Sequence, residues 1–150
     1  MFDDLRDLYQ EVILDHGRRP RHGSRLAAYD ASAKGDNPMC GDRVQVFVRH
    51  DDAGRIAEAG FEARGCAISV ASADLMAETV AGRTDAEARE LAGRFRDMAR
   101  TGEATGEDAA IERLRPLAGV HEYPSRVKCA TLPWHALLAA LDGKGEASSE

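Results

Sequence analysis

Apolar residues fall on alternate positions in the first half of the chain and at helical spacing in the second. Val44, Val46 and Val48 alternate with Gln45 and Arg49, the pattern of a strand buried on one face. Ala57, Ala59, Phe61 and Ala63 alternate with Glu58, Glu62 and Arg64, and the turn residues Asp51-Asp52-Ala53-Gly54 join the two runs into a hairpin. A weaker strand is expected within residues 24–34, around Leu26 to Ala31. After Gly65 the period changes. Ile68, Ala71, Leu75 and Met76 share a helical face over residues 67–81, and Gly82 is placed to stop it. Thr84-Asp85-Ala86-Glu87 has the capping-box pattern, opening a helix through Ala88, Leu91, Phe95 and Met98 to about residue 100. A polar loop to Asp108 and a short helix with Ile111, Leu114 and Leu117, to about Pro116, follow.

The last element spans about residues 125–141, with Val127, Ala130, Trp134, Leu137, Leu138 and Leu141 apolar. Pro133 cannot donate to the carbonyl of residue 129, which predicts a kink or a restart there. At the other end, residues 4–16 place Leu5, Leu8, Tyr9, Val12 and Ile13 on one face, with Asp3 as cap, Gly17 as stop and Pro20 beyond. Asp15, His16, Arg18, Arg19 and Arg21 cluster where this helix ends; a solvated helix end and a docking surface are equally open readings. Residues 143–150 are expected to fray. The fold class is α+β: a small three-stranded antiparallel sheet with helices on one face, in a single domain over residues 1–150.

Composition narrows the partners. A net charge of −6, with 43% hydrophobic and 31% charged residues, is that of a soluble globular chain and argues against a nucleic-acid surface. The charged start Met1 to Asp7 has no apolar signal-peptide core, and no run approaches the ~18 apolar residues of a membrane span. A cytoplasmic location is the expectation, with no membrane partner.

Candidate chemistry centres on the three cysteines, Cys40, Cys66 and Cys129. An odd number in a reducing compartment makes a disulfide framework a poor explanation. Cys40 shares a Gly/Pro-punctuated loop with Asp42, Cys66 falls where strand gives way to helix, and Cys129 lies near the start of the last helix. A helix N-terminus favours a thiolate, so Cys66 is placed to ligate or to react. Zinc accepts sulfur and carboxylate together, and Cys40, Asp42, Cys66 and Cys129 would fill four positions. The long separations match no compact zinc-finger signature, so inert buried cysteines stay open as the alternative. The five histidines form no i, i+4 pair, and His135 is expected at the surface. No Gly-rich phosphate loop or Gly-x-Ser-x-Gly elbow occurs, and Cys66-Ala67-Ile68-Ser69 has no evident base.

Larger motifs carry a resemblance. Asp36-Asn37-Pro38-Met39-Cys40-Gly41-Asp42, Gly65-Cys66-Ala67-Ile68-Ser69 and Ser125-Arg126-Val127-Lys128-Cys129-Ala130, in that order, strongly resemble the U-type iron–sulfur cluster assembly proteins. Leu8-Tyr9-Gln10-Glu11-Val12-Ile13-Leu14-Asp15-His16, then Pro20-Arg21, is similar to that family's N-terminal helix. The family's scaffold branch places a histidine ligand just before the third cysteine. This chain has Lys128 there, and carries an insertion at about residues 101–119. With Cys129-Ala130-Thr131-Leu132-Pro133-Trp134, these features resemble the SUF-associated, SufU-type branch.

The resemblance implies zinc held by Cys40, Asp42, Cys66 and Cys129, with Cys40 accepting sulfur. It implies that Arg126 stands beside the metal, paired with Asp42 or with a released thiolate. The implied donor is a pyridoxal-phosphate-dependent cysteine desulfurase of the SufS type, one of whose histidines takes the place of Cys40 on the metal. The receiver is a downstream iron–sulfur scaffold complex. Two other readings stay open: a scaffold assembling a [2Fe–2S] cluster on the same ligands, and a purely structural zinc domain that docks a partner.

Overall fold

Strand β2 is the common partner of two hairpins. The computed structural model describes residues 2–38, 41–104, 106 and 108–148, with side chains from Gln10 to Ala147 within that range. The chain runs α1 (Phe2–Arg18), β1 (Ala31–Asn37), β2 (Asp42–His50), β3 (Ile56–Arg64), α2 (Ala67–Val80), α3 (Asp85–Thr101), α4 (Ala109–Leu114), a 3-10 stretch (Arg115–Glu122), α5 (Pro124–Leu141) and β4 (Glu146–Ser148). The side chains of Leu5, Leu8 and Tyr9, expected on the apolar face of α1, lie outside the described residues.

The sheet order is β3-β2-β1-β4, so the architecture is α+β with four strands rather than the expected three. The additional strand comes from the segment expected to fray. Glu146–Ser148 pairs in parallel with Lys34–Asp36, and the Lys34 N–H donates to the Gly145 carbonyl at 2.9 Å. Main-chain bonds hold it, so Glu-Ala-Ser leaves no side-chain periodicity to read.

The first strand also begins later than expected, at Ala31. Residues 24–30 lie across the sheet instead of joining it. The missing Cβ of Gly60 leaves room for the Ser24 carbonyl and the Leu26 side chain, and Tyr29 meets the Phe47 ring edge-on at 4.9 Å. Only Leu26 of this segment is half-buried, and the segment joins β2 just at its end, where the Asp30 N–H donates to the Val48 carbonyl at 3.0 Å.

The core lies between the sheet and the helices α2, α3 and α5. Val44, Val46, Val48, Ile56 and Phe61 from the sheet meet Leu75, Met76, Phe95, Leu132 and Leu137. Gly35 lets α5 approach β1, since a Cβ there would press on Leu132, Val44 and Ala136 within 3.3 Å. The capping box forms as the sequence predicts. Thr84 Oγ1 accepts from the Glu87 N–H at 3.2 Å, and Glu87 accepts from the Thr84 N–H at 2.9 Å. Helix α5 continues as one helix through Pro133. His135, expected at the surface, is half-buried. Its burial, reinforced by the nearby Arg96 charge, holds its pKa below the ordinary 6.5.

Candidate metal centre

The start of β2, the N-cap of α2 and the first half of α5 converge at one end of the sheet. The register pairs Asn37 with Asp42, so the β1–β2 connection is the short Pro38–Gly41 stretch. The Gly41 N–H donates to the Asn37 carbonyl at 2.8 Å, and Gly41 sits at φ 75°, in the left-handed region that glycine enters at least cost. Asp42 therefore begins β2 at a fixed point. It is a carboxylate only 2% exposed.

Cys66 is the N-cap of α2, with extended backbone angles and no side-chain cap bond. The Asp42 carboxylate serves the helix end instead. Its Oδ1 accepts from the Cys66 N–H at 3.0 Å, and its Oδ2 lies 3.5 Å from Cys66 Sγ. This approach requires Gly65, because a Cβ at that position would overlap the Asp42 carboxyl group.

Cys129, 1% exposed, comes from the first half of α5. Pro133 has no N–H for the Cys129 carbonyl, and Ser69 of α2 fills that place: its hydroxyl donates to the carbonyl at 3.2 Å. One turn on, Ser72 donates to the Ala130 carbonyl at 2.5 Å. The helix that begins at Cys66 is thereby bonded to the backbone that carries Cys129.

One ligand atom each from Asp42, Cys66 and Cys129 lies within 4.8 Å of the other two. This donor set fits zinc. Zn–S near 2.3 Å and Zn–O near 2.0 Å in a tetrahedron imply an S···O edge of about 3.5 Å, which is the Cys66–Asp42 separation. The buried Asp42 carboxylate also calls for compensating positive charge. Arg126, exposed in the first turn of α5, answers part of it. The negative charge of Cys66 raises its guanidinium pKa against the opposing effect of burial, with hydrogen bonds to Cys66 and Cys129 adding to the shift.

Of the sequence candidates, Asp42, Cys66, Cys129 and Arg126 are brought together. Cys40 lies outside the described residues, in the connection between Asn37 and Asp42. Lys128 is exposed and lines a different groove with Arg96 and Arg100. Sequence reading missed Ser69 and Ser72, whose polar side chains three apart in a small-residue run were the available signal. It also missed Asp74, a carboxylate with 0% exposure inside the otherwise apolar stretch of α2.

The NifU-like N-terminal domain family matches residues 8–130. The chain belongs to this family. It is 36% identical over 137 residues to a Streptococcus pyogenes serotype M1 protein named as the iron–sulfur cluster assembly scaffold IscU, covering 91% of this chain and 84% of the relative. It is 37% identical over 135 residues to the Bacillus subtilis zinc-dependent sulfurtransferase SufU, covering 89% of each. A solved structure from Fervidobacterium islandicum AW-1, described as a candidate iron–sulfur assembly scaffold for the SUF system, superposes with a TM-score of 0.78. That pair is 32% identical, over 87% of this chain and 94% of the other. In this NifU-like chain, Asp42, Cys66, Cys129 and Arg126 from the motifs that carried the sequence resemblance come together in the cluster.

Proposed function

We propose that this protein is a zinc-dependent sulfur acceptor, taking persulfide sulfur from a cysteine desulfurase for iron–sulfur cluster assembly. The observation that carries this reading is the convergence of Asp42, Cys66 and Cys129, with Arg126 against the two sulfurs and Lys128 turned to another groove. The position preceding the third cysteine thus carries a lysine, a poor metal ligand, in place of an imidazole. The similarity to a protein named as a zinc-dependent sulfurtransferase supports the same choice.

Cys40, Asp42, Cys66 and Cys129 would hold the metal. Zinc, when bound, supplies Lewis acidity that keeps the cysteines as thiolates near neutral pH. The chain's own residues do the remainder. Cys40, in the chain between Asn37 and Asp42, is the sulfur acceptor in this reading. Its thiolate attacks the outer sulfur of the desulfurase persulfide. A new sulfur–sulfur bond forms on Cys40, the bond between the two desulfurase sulfurs breaks, and the desulfurase cysteine leaves as thiolate. The Arg126 guanidinium offsets negative charge at the sulfurs, and Asp42 fixes the start of α2 so that Cys66 stays in place. The partner is a pyridoxal-phosphate-dependent cysteine desulfurase of the SufS type, and a downstream scaffold complex receives the sulfur.

The test is anaerobic incubation with such a desulfurase and cysteine, then thiol alkylation and mass spectrometry. Wild type should carry one extra sulfur on Cys40 and stimulate desulfurase turnover, and Cys40→Ser should do neither. A Cys40→Ser protein that still stimulates turnover fully would remove Cys40 from the acceptor role. A scaffold assembling a [2Fe–2S] cluster on the same residues is the second reading, favoured by the IscU-named relatives. It predicts bound iron and sulfide in place of zinc.

A further inference from the structure

A second cluster of ligand atoms lies farther along α2, built from different chemistry. Asp74 and Glu78 stand four residues apart, on one face of the helix. His16, at the end of α1, places Nδ1 2.5 Å from Asp74 Oδ2. His22, on the segment after α1, donates its backbone N–H to Asp74 Oδ1 at 2.8 Å and places Nε2 3.7 Å from Glu78 Oε1. Ligand atoms of His16, Asp74 and Glu78 all lie within 4.8 Å of one another. The His16 imidazole and the carboxylates of Asp74 and Glu78 thus converge, with the His22 ring at the rim beside Glu78.

Two carboxylates meet at this cluster, each with a histidine as its ion-pair partner. Asp74 has 0% exposure, and a buried carboxylate is costly without a positive partner. Among the described residues no Lys or Arg forms an ion pair with Asp74 or Glu78. The neighbouring Arg21 hydrogen-bonds Asp15 at 2.5 Å, and the charges of Asp74 and Glu78 act on it only from a greater distance. One protonated imidazole would balance one carboxylate, and Glu78 would still face the cluster with its histidine beyond hydrogen-bond range. A divalent ion balances both.

We propose that His16, Asp74 and Glu78, with His22 as fourth donor, form a second metal site for a divalent first-row transition ion, separate from the cysteine centre. Imidazole with carboxylate suits zinc, cobalt, manganese or ferrous iron, whereas the cysteine centre is the softer of the two. The two sites share α2. Asp74 lies eight residues beyond Cys66, about 12 Å along the helix at ~1.5 Å per residue. An ion here would bind α1 and the segment after it to the helix that carries Cys66.

Cobalt(II) titration of tag-free, metal-free protein under anaerobic conditions separates the sites by spectrum. Uptake at the cysteine centre brings intense thiolate-to-cobalt charge transfer, and uptake at the histidine–carboxylate cluster brings only weak visible bands. Wild type should take up a second equivalent without added thiolate absorption. Glu78→Gln and His22→Gln, both at the partly exposed rim, should weaken that uptake at least tenfold and leave the thiolate signal unchanged. Circular dichroism checks that each variant folds. Failure of wild type to bind any cobalt without thiolate absorption would overturn the proposal, as would undiminished second uptake in both variants. The readout needs no sulfur transfer, so it stands whether or not the sulfur-acceptor reading does.

Discussion

Helix α2 carries two polar clusters, and they are built in opposite ways. At its N-cap, Cys66 meets Asp42 and Cys129, with backbone groups fixing the approach: the Cys66 N–H on Asp42, the Cys129 carbonyl on Ser69, and the bare Cα of Gly65. Farther along, Asp74 and Glu78 meet His16 and His22 mainly through side chains on a helix face. A site made near termini takes its groups from separate segments, each fixed by its own backbone contacts. A site made of helix faces ties its elements together. The contrast suits a working centre at the sulfur end and an anchoring one at the nitrogen end.

Breaking the sulfur end should cost most. Gly65→Ala forces a methyl group into the Asp42 carboxyl, displacing a ligand and the α2 N-terminus together. We expect zinc content to fall severalfold and stability to drop by roughly 3 kcal/mol, a buried-network loss, read by metal analysis and thermal melting. Removing zinc from wild type by chelation should lower the melting temperature in the same direction, because metal binding and folding are linked.

The bond that joins α2 to α5 gives a sharper test. Ser69→Ala leaves the Cys129 carbonyl without a donor and should cost about 1–3 kcal/mol. Pro133→Ala restores the N–H of residue 133. In a double-mutant cycle by denaturant unfolding, the Ser69→Ala cost should largely vanish in the Pro133→Ala background. Additive costs would show that the hydroxyl does not replace the missing helix bond.

At the nitrogen end, Asp74→Asn keeps shape and an acceptor for the His22 N–H but removes the charge. It should cost about 1–2 kcal/mol and leave thiolate–metal absorption untouched. If it also abolished metal binding at the cysteines, the two ends would be one unit rather than two.

The smallest effect belongs to a region outside both. Burial disfavours the charged form of His50, but Asp30 at 2.6 Å and Asp85 at 2.7 Å outweigh it and raise its pKa above 6.5. A raised folded-state pKa means stability fully present below pH 6.5 and lost as pH rises through the folded value. His50→Gln should flatten that alkaline decline in melting temperature without changing metal content.

What the sequence revealed divides along the same line. The β2–β3 hairpin, the Thr84 capping box and the Gly82 stop were readable because each is local, written in periodicity or in residues three apart. So were Cys66, Cys129 and Asp42 as a group, since thiols and a carboxylate near element boundaries carry a chemical signature. The role of Ser69 was half visible: Pro133 announced an orphaned carbonyl, but only the fold shows which helix supplies the hydroxyl. Asp74 and His16 lie 58 residues apart, so their pairing depends on helix packing that no local pattern encodes. Strand β4 was hidden for a related reason, being held by main-chain bonds to a distant edge.

The most direct test of the sulfur-acceptor account is metal and acid-labile sulfide analysis of protein purified anaerobically without added metal. The account predicts zinc in the wild-type protein with no iron and no sulfide, and loss of cysteine-bound zinc in Cys66→Ser. Stoichiometric iron and sulfide in fresh wild-type protein would contradict it and make the cysteine centre a cluster scaffold.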